Sequence, residues 1–335
     1  MYTFLRVIVD FTMITAITYP SALKFWLYED FPFSFGNTQR NTSSAEACSS
    51  AEYLRAAKYA ELPIPVHVLF SGASTRIHNK NLQCHVLSVK LPAESFVDLG
   101  NSVRIISPEL CFLLAAKTLS FSQLVLLGCD LCAIYARDES GQYGQRSREP
   151  VTSVAKIKTY LQKVKNVDGI YKARQAANYI LDRSNSPMES ILAVLMNLPI
   201  SRGGYRLRTP KLNYDVELNA EGEKVLKRSS CCCDFVWPEK GVIAEYDSNS
   251  THLEINQHYT DKRRMNALTL SGKKVISITR EHFSSFSRLE ELFRLIRKAL
   301  DMRAEKKEFE KYRNLRIQVV RELLRFRYNY CWEER

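Results

Sequence analysis

The sequence predicts an α/β core over residues 186–300, preceded by an amino-terminal α+β domain. Three observations carry this. Two brief apolar segments, Cys231-Cys232-Cys233-Asp234-Phe235-Val236-Trp237 and Gly241-Val242-Ile243-Ala244-Glu245-Tyr246-Asp247, are split by the turn signal Pro238-Glu239-Lys240-Gly241 and read as strands. Ser186-Pro187-Met188-Glu189 ahead of the apolar run Ile191 to Met196 is a helix start, with Ser as cap, Pro in the first position and Glu three residues on. From residue 187 the order is helix, three strands, helix, strand, helix, which is a meander followed by a crossover.

Residues 1–150 form the expected amino-terminal domain. Val7 to Tyr19 is mostly apolar and follows Arg6, but Asp10 interrupts it and no small-residue cleavage pattern follows. Met13 is an alternative native start, which makes residues 1–12 an over-extended reading. Residues 21–27 read as a short helix with an aromatic face, and 36–52, rich in Ser, Thr and Asn, as a loop. Strands are expected at 66–70, 84–88 and 103–106. Pro108 opens an apolar helical stretch to about Tyr135, broken near Ser120 to Gln123. Residues 138–153 are polar and Gly-containing, and the linker is placed there.

Residues 151–185 form a helical connector with a basic surface. Leu212 to Leu218 alternates apolar and polar, as a strand does, and precedes the two strands already named. Residues 261–268 are helical and stop near Gly272, and Val275 to Ile278 is a fourth strand. Over 285–300, Leu289, Leu292, Phe293, Ile296 and Leu300 share one helical face. Residues 301–335 form a basic helical tail, which either grips a nucleic-acid backbone through Lys306, Lys307, Lys311, Arg313, Arg316, Arg321, Arg325 and Arg327 with Tyr328, Tyr330 and Trp332, or docks through Leu315, Val319, Leu323 and Phe326.

The chain has 335 residues, 45% hydrophobic and 25% charged, enough to bury two cores. Its nine Cys do not form a secreted disulfide scaffold and read as reduced thiols of a cytoplasmic protein. Cys129 and Cys132 fit a redox CxxC spacing but lie in an apolar helix. Cys231 to Cys233 alternate faces and cannot all ligate one zinc, so core packing is expected for both groups. No segment has the length and polarity of a membrane span. Charge is uneven: residues 1–150 carry net 0, residues 151–260 net +3, and residues 261–335, with 20 basic and 11 acidic side chains, net +9 of the total +12. Such a footprint suits a polyanion, and also an ordinary solvated helix face.

Carboxylates inside apolar strands are costly unless something pairs with them. Ile243, Glu245 and Asp247 share a strand face, which sets the two acids roughly 6–7 Å apart. Beside Asp234 on a neighbouring strand they would make an oxygen-rich pocket suited to Mg²⁺ or Mn²⁺.

This order, with Glu189 in the first helix, Asp234 in Cys233-Asp234-Phe235-Val236-Trp237-Pro238, Glu245 and Asp247 in Val242 to Asp247, and Asp261 to Leu268 before Gly272-Lys273-Lys274-Val275-Ile276, resembles the PD-(D/E)xK nuclease superfamily. The closer likeness, over about 186–300, is to its very-short-patch-repair-like branch, a domain of unknown function common in bacteria. Residues 62–135 are more weakly similar to amino-terminal regions of proteins related to abortive-infection antitoxins. The resemblance implies a restriction-endonuclease-like α-β-β-β-α-β core and Mg²⁺- or Mn²⁺-dependent hydrolysis of DNA phosphodiesters. On that carry-over Asp234 and Glu245 are metal ligands, Glu189 orients the metal or its water, and Asp247 stands where the superfamily has a Lys. Asp247 is then a third ligand, with Lys240, Lys262 or Arg263 supplying the missing charge, or the site is inactive. The non-enzymatic alternative is a nucleic-acid-binding regulator of a toxin–antitoxin or phage-defence locus, with a partner protein.

Each residue also has a plainer reading. Glu189 at N3 serves a helix cap. Asp234 pairs with a core Arg. Asp247, before Ser248-Asn249-Ser250, is a strand-end surface acid. Lys262, Arg263 and Arg264 contact phosphates or solvate a helix face. His252 and His258 are surface residues or a base near the site.

Overall fold

The computed structural model describes residues 16–28, 54, 62–70, 79–100, 103–138, 145–247, 255–303 and 306–326, with backbone alone at 100 and 255–261. The expected loop at 36–52, the alternative start at Met13, His252 and the residues after 326 lie outside these. The chain is mixed α/β and divides into two units, one of residues 1–119 with 155–174 and one of 120–154 with 175–335.

In the first unit, β1 (Ala16–Ile17), β2 (Val66–Phe70), β3 (Leu82–Val86), β4 (Phe96–Gly100) and β5 (Val103–Ile106) form one sheet in the order β3-β2-β1-β5-β4. β3 begins two residues before the expected strand at 84–88, in register with β2 from Val66 opposite Leu82. The helix α1 (Ser21–Tyr28) buries Leu23, Phe25 and Trp26, and Trp26 Nε1 donates to the Ile106 carbonyl at 2.9 Å. Helix α2 (Pro108–Ala115) starts at the Ser107 cap, whose hydroxyl accepts from Leu110 N–H, with Pro108 in the first turn.

In the second unit, α3 (Phe121–Leu131) opens with a capping box between Ser120 and Gln123, which explains the break expected there. The segment 138–153, expected as a linker, includes β7 (Gln145–Ser147), antiparallel to β6 (Tyr135–Arg137). Helices α4 (Val154–Lys163) and α5 (Ile170–Ala176) follow in the chain and lie mostly in the first unit. Helix α6 (Pro187–Asn197) begins at Ser186 as expected.

The second sheet has β8 (Lys211–Glu217), β9 (Ser230–Trp237), β10 (Val242–Asp247) and β11 (Lys274–Thr279) in the order β11-β10-β9-β8. The first three are antiparallel and β11 is parallel to β10 after the crossover helix α8 (Ile255–Leu270). An unexpected short helix, α7 (Ala220–Leu226), capped by Asn219, sits between β8 and β9. It packs so close to α8 that a Cβ on Gly222 would lie 2.4 Å from Ser271 Oγ and 2.7 Å from the Ala267 carbonyl. Val216, Cys231, Cys233, Val236 and Ile243 of the sheet pack with Ala267 and Leu268 of α8.

Helix α9 (Phe286–Ala299) buries Leu289, Leu292, Phe293 and Ile296, as its spacing predicts. The tail contains α10 (Lys306–Lys311) and α11 (Arg313–Phe326), which docks through Val319 and Leu323. Arg316, counted among the side chains able to grip nucleic acid, is instead 1% exposed and donates to Glu290 Oε1 at 2.8 Å and to the Phe309 carbonyl. Its place on the inward face of α11 decides this. Cys129, Cys132, Cys231 and Cys233 are buried as expected, but Cys232 is exposed, because neighbouring residues on β9 project to opposite sides. No helix among the described residues is long and apolar enough to cross a membrane.

Candidate functional site

The strands β9 and β10 are apolar runs, and the register that opposes Val236 to Ile243 and Phe235 to Ala244 carries Asp234 up to Glu245. The two acids interlock with the backbone. Asp234 N–H points to Glu245 Oε2 at 3.4 Å, and Asp234 Oδ2 accepts from Tyr246 N–H at 2.7 Å. On the other side of β9, Asn213 stands between Leu212, opposite Phe235, and Tyr214, opposite Cys233. Its φ of 45° breaks the alternation of β8, and Nδ2 donates to Glu189 Oε2 at 2.7 Å and to the Arg183 carbonyl at 2.8 Å.

Glu189 is buried at the start of α6. Its carboxylate accepts from Asn185 N–H (2.8 Å), Ser186 Oγ (2.9 Å) and Asn213 Nδ2, while Ser186 Oγ accepts from Glu189 N–H. The capping geometry is therefore present, and the same carboxylate holds Asn213 of β8. Burial, then the charge of Asp234, push Glu189 up to about 7. Burial and Asp234 push Glu245 up to about 8, against the pull of Arg264. Burial also raises Asp234. Burial is the larger cause at all three, and the charge of Asp234 opposes the ionisation of both Glu189 and Glu245.

Arg264 answers Glu245. Arg264 Nη2 lies 3.0 and 3.1 Å from the two Glu245 oxygens and also donates to the Cys232 carbonyl, while Arg264 Nε donates to Cys231 Sγ at 3.0 Å. The Cys233 thiol and the Arg264 guanidinium together draw the Cys231 thiol down to about 6. Arg264, expected to face phosphate, is therefore turned onto the acids. It lies three and four residues before the buried Ala267 and Leu268, on the sheet-facing side of α8, and that spacing is the signal that marks it. Asn213 carried a fainter one, a polar residue inside an alternating strand.

The remaining expected residues lie elsewhere. Asp247 ends β10 opposite Thr279. Arg263 donates to the Val225 carbonyl, Lys262 is exposed, and Lys240 pairs with Asp301 at 2.9 Å, so none of these supplies charge to the acids. His258 falls within α8. Arg263 and Arg264 do line an open cleft of about 720 Å³ with Arg228, Ser229, Ser230, Cys231, Cys232, Leu226 and Asp215.

Asp234, Glu245 and Glu189 offer oxygen donors alone, the donor type that a hard divalent cation takes. Among the described residues, however, no group of three or more His, Cys, Asp or Glu is arranged to hold a metal ion. Glu189 is committed to its three donors, Asp234 Oδ2 to a backbone N–H, and both Glu245 oxygens to Arg264. Comparison of the chain with protein-family models, curated proteins and solved structures finds no match in any of the three.

Proposed function

We propose that residues 186–300 form a PD-(D/E)xK-type nuclease domain that hydrolyses DNA phosphodiesters with Mg²⁺ or Mn²⁺. The observation that carries this reading is the meeting of Asp234 and Glu245 across β9 and β10, in a helix, three-strand meander, helix, strand order. A divalent ion there would supply Lewis-acid activation of the phosphodiester and of a water. Asp234 and Glu245 would hold it, and Glu189, fixed by Asn185, Ser186 and Asn213, would support it. Arg264 brings the positive charge that Asp247 cannot, and steadies charge on the phosphate. The cleft beside it, with Arg228 and Arg263, admits the backbone of a nucleic acid. The protein in this reading is a cytoplasmic bacterial one.

The test is cleavage of supercoiled plasmid with Mg²⁺ or Mn²⁺ by wild type, Asp234→Ala and Glu245→Ala. Loss in both variants is expected, and equal activity in all three refutes the site.

A second reading is favoured by Asp247 at the Lys position and by the hold of Arg264 on Glu245. It makes the chain a non-catalytic nucleic-acid-binding regulator of toxin–antitoxin or phage-defence type, acting with a partner protein. Metal-independent DNA binding without cleavage would support that reading.

A further inference from the structure

We propose that Cys231 is a thiol-modification site, the nucleophile of a basic cleft that takes small disulfides bearing carboxylates. A cluster of side chains carries this. Cys231 and Cys232 of β9 line the open cleft of about 720 Å³ together with Arg228, Asp215 of β8, and Arg263 and Arg264 of α8. Arg264 Nε donates to Cys231 Sγ at 3.0 Å, so a charged hydrogen bond favours the thiolate over the thiol. The Cys233 thiol, then the Arg264 guanidinium, draw Cys231 down to about 6 against burial and the charge of Asp215, whereas burial raises Cys232.

Exposure and thiolate character are thereby set apart on neighbouring residues. Cys232 is exposed, while Cys231 is 7% exposed, packs with Val216 and Ala267, and lines the cleft. Arg264 also pairs with Glu245, but Arg228 and Arg263 keep the wall cationic against the carboxylate of Asp215. Such a wall concentrates an anionic reagent beside the sulfur. The step is a thiol–disulfide exchange. Ionised Cys231, its proton already released to solvent, forms a bond to one sulfur of the incoming disulfide. The S–S bond breaks, and its electron pair leaves on the other sulfur as a thiolate. The Cys231 sulfur is oxidised and the departing sulfur reduced. A cysteine that only fills the core behaves differently: it reacts after the exposed Cys232, or only when the chain unfolds.

The experiment adds oxidised glutathione to the full chain near pH 6, with acid quenching at intervals and tandem mass spectrometry to locate the adduct. At that pH about half of Cys231 is thiolate, against under about 1% of an ordinary thiol. The weaker nucleophilicity of a more acidic thiol offsets about tenfold of this, so Cys231 should acquire the adduct about tenfold faster than Cys232. Arg228→Ala should slow the reaction with oxidised glutathione about threefold or more and leave that with neutral hydroxyethyl disulfide unchanged. Adduct first on Cys232, or on Cys231 only in urea, overturns the proposal, and so does an Arg228→Ala rate equal to wild type with oxidised glutathione. Transfer of the adduct between adjacent cysteines is checked by substitution. Cys231→Ser should lose the fast adduct and Cys232→Ser should keep it. A folded Cys231→Ser that still reacts fast overturns the proposal. If circular dichroism shows Cys231→Ser unfolded, Cys232→Ser decides: a retained fast adduct supports the site, and its loss overturns it.

Discussion

Glu189→Ala separates the two roles that one carboxylate holds at the start of α6. The side chain accepts three hydrogen bonds, from Asn185 N–H, Ser186 Oγ and Asn213 Nδ2, at 2.8, 2.9 and 2.7 Å. At about 1 kcal/mol net for each, the truncation costs about 3 kcal/mol. Relief of a buried acid that Asp234 opposes returns part of this, so the expected loss is about 2–3 kcal/mol. Glu189→Gln keeps one accepting oxygen and sets an NH₂ against donors, which costs about 1–2 kcal/mol. Urea unfolding followed by circular dichroism, with slopes compared between variants, measures both. A loss under about 0.5 kcal/mol for Glu189→Ala would refute the view that this carboxylate fixes Asn213 and the helix start. Mn²⁺ titration of Glu189→Gln, which remains folded, then reads the second role. Weakened binding assigns Glu189 to the metal, and unchanged binding leaves it a cap.

Other expectations follow from single contacts. Gly204→Ala puts a Cβ 2.2 Å from the Leu198 carbonyl oxygen, and a destabilisation of about 2 kcal/mol or more in thermal or urea melts is expected. Trp237→Phe removes the 2.6 Å bond from Nε1 to the Arg208 carbonyl and shrinks a fully buried side chain. It should cost about 1–3 kcal/mol in the same assay, and no change would show the bond to be replaceable. His67, stacked on His85 with ring nitrogens 2.7 Å apart, is held at about 4 by burial and by the charge of His85. The unfolded chain takes a proton near pH 6.5 and the folded chain does not, so stability is present above 6.5 and falls as pH drops toward 4. Melting between pH 7.5 and 4.5 should show a smaller fall for His67→Gln than for wild type.

The sequence carried the sheet well where apolarity and turn chemistry coincide. The runs on either side of Pro238 to Gly241 became β9 and β10, and Ser186 with Pro187 marked the start of α6. Helix α7 escaped because Gly222 and its seven residues give little periodicity, although Asn219 followed by Glu221 and Glu223 is a start signal. The pairing of Asp234 with Glu245 was legible as an acid in each of two adjacent strands. The partner of Glu245 was not, because Lys262, Arg263 and Arg264 differ only in helical phase. One step of rotation sends Arg263 to the Val225 carbonyl and Arg264 to the sheet. Cys232 was misjudged for the same kind of reason. Alternation places Cys231 and Cys233 inward and leaves the residue between them facing out.

The most direct measurement is an anomalous difference map from crystals of the full chain grown with saturating Mn²⁺. The nuclease reading predicts a peak shared by Asp234 and Glu245. No peak beside Asp234 would contradict it.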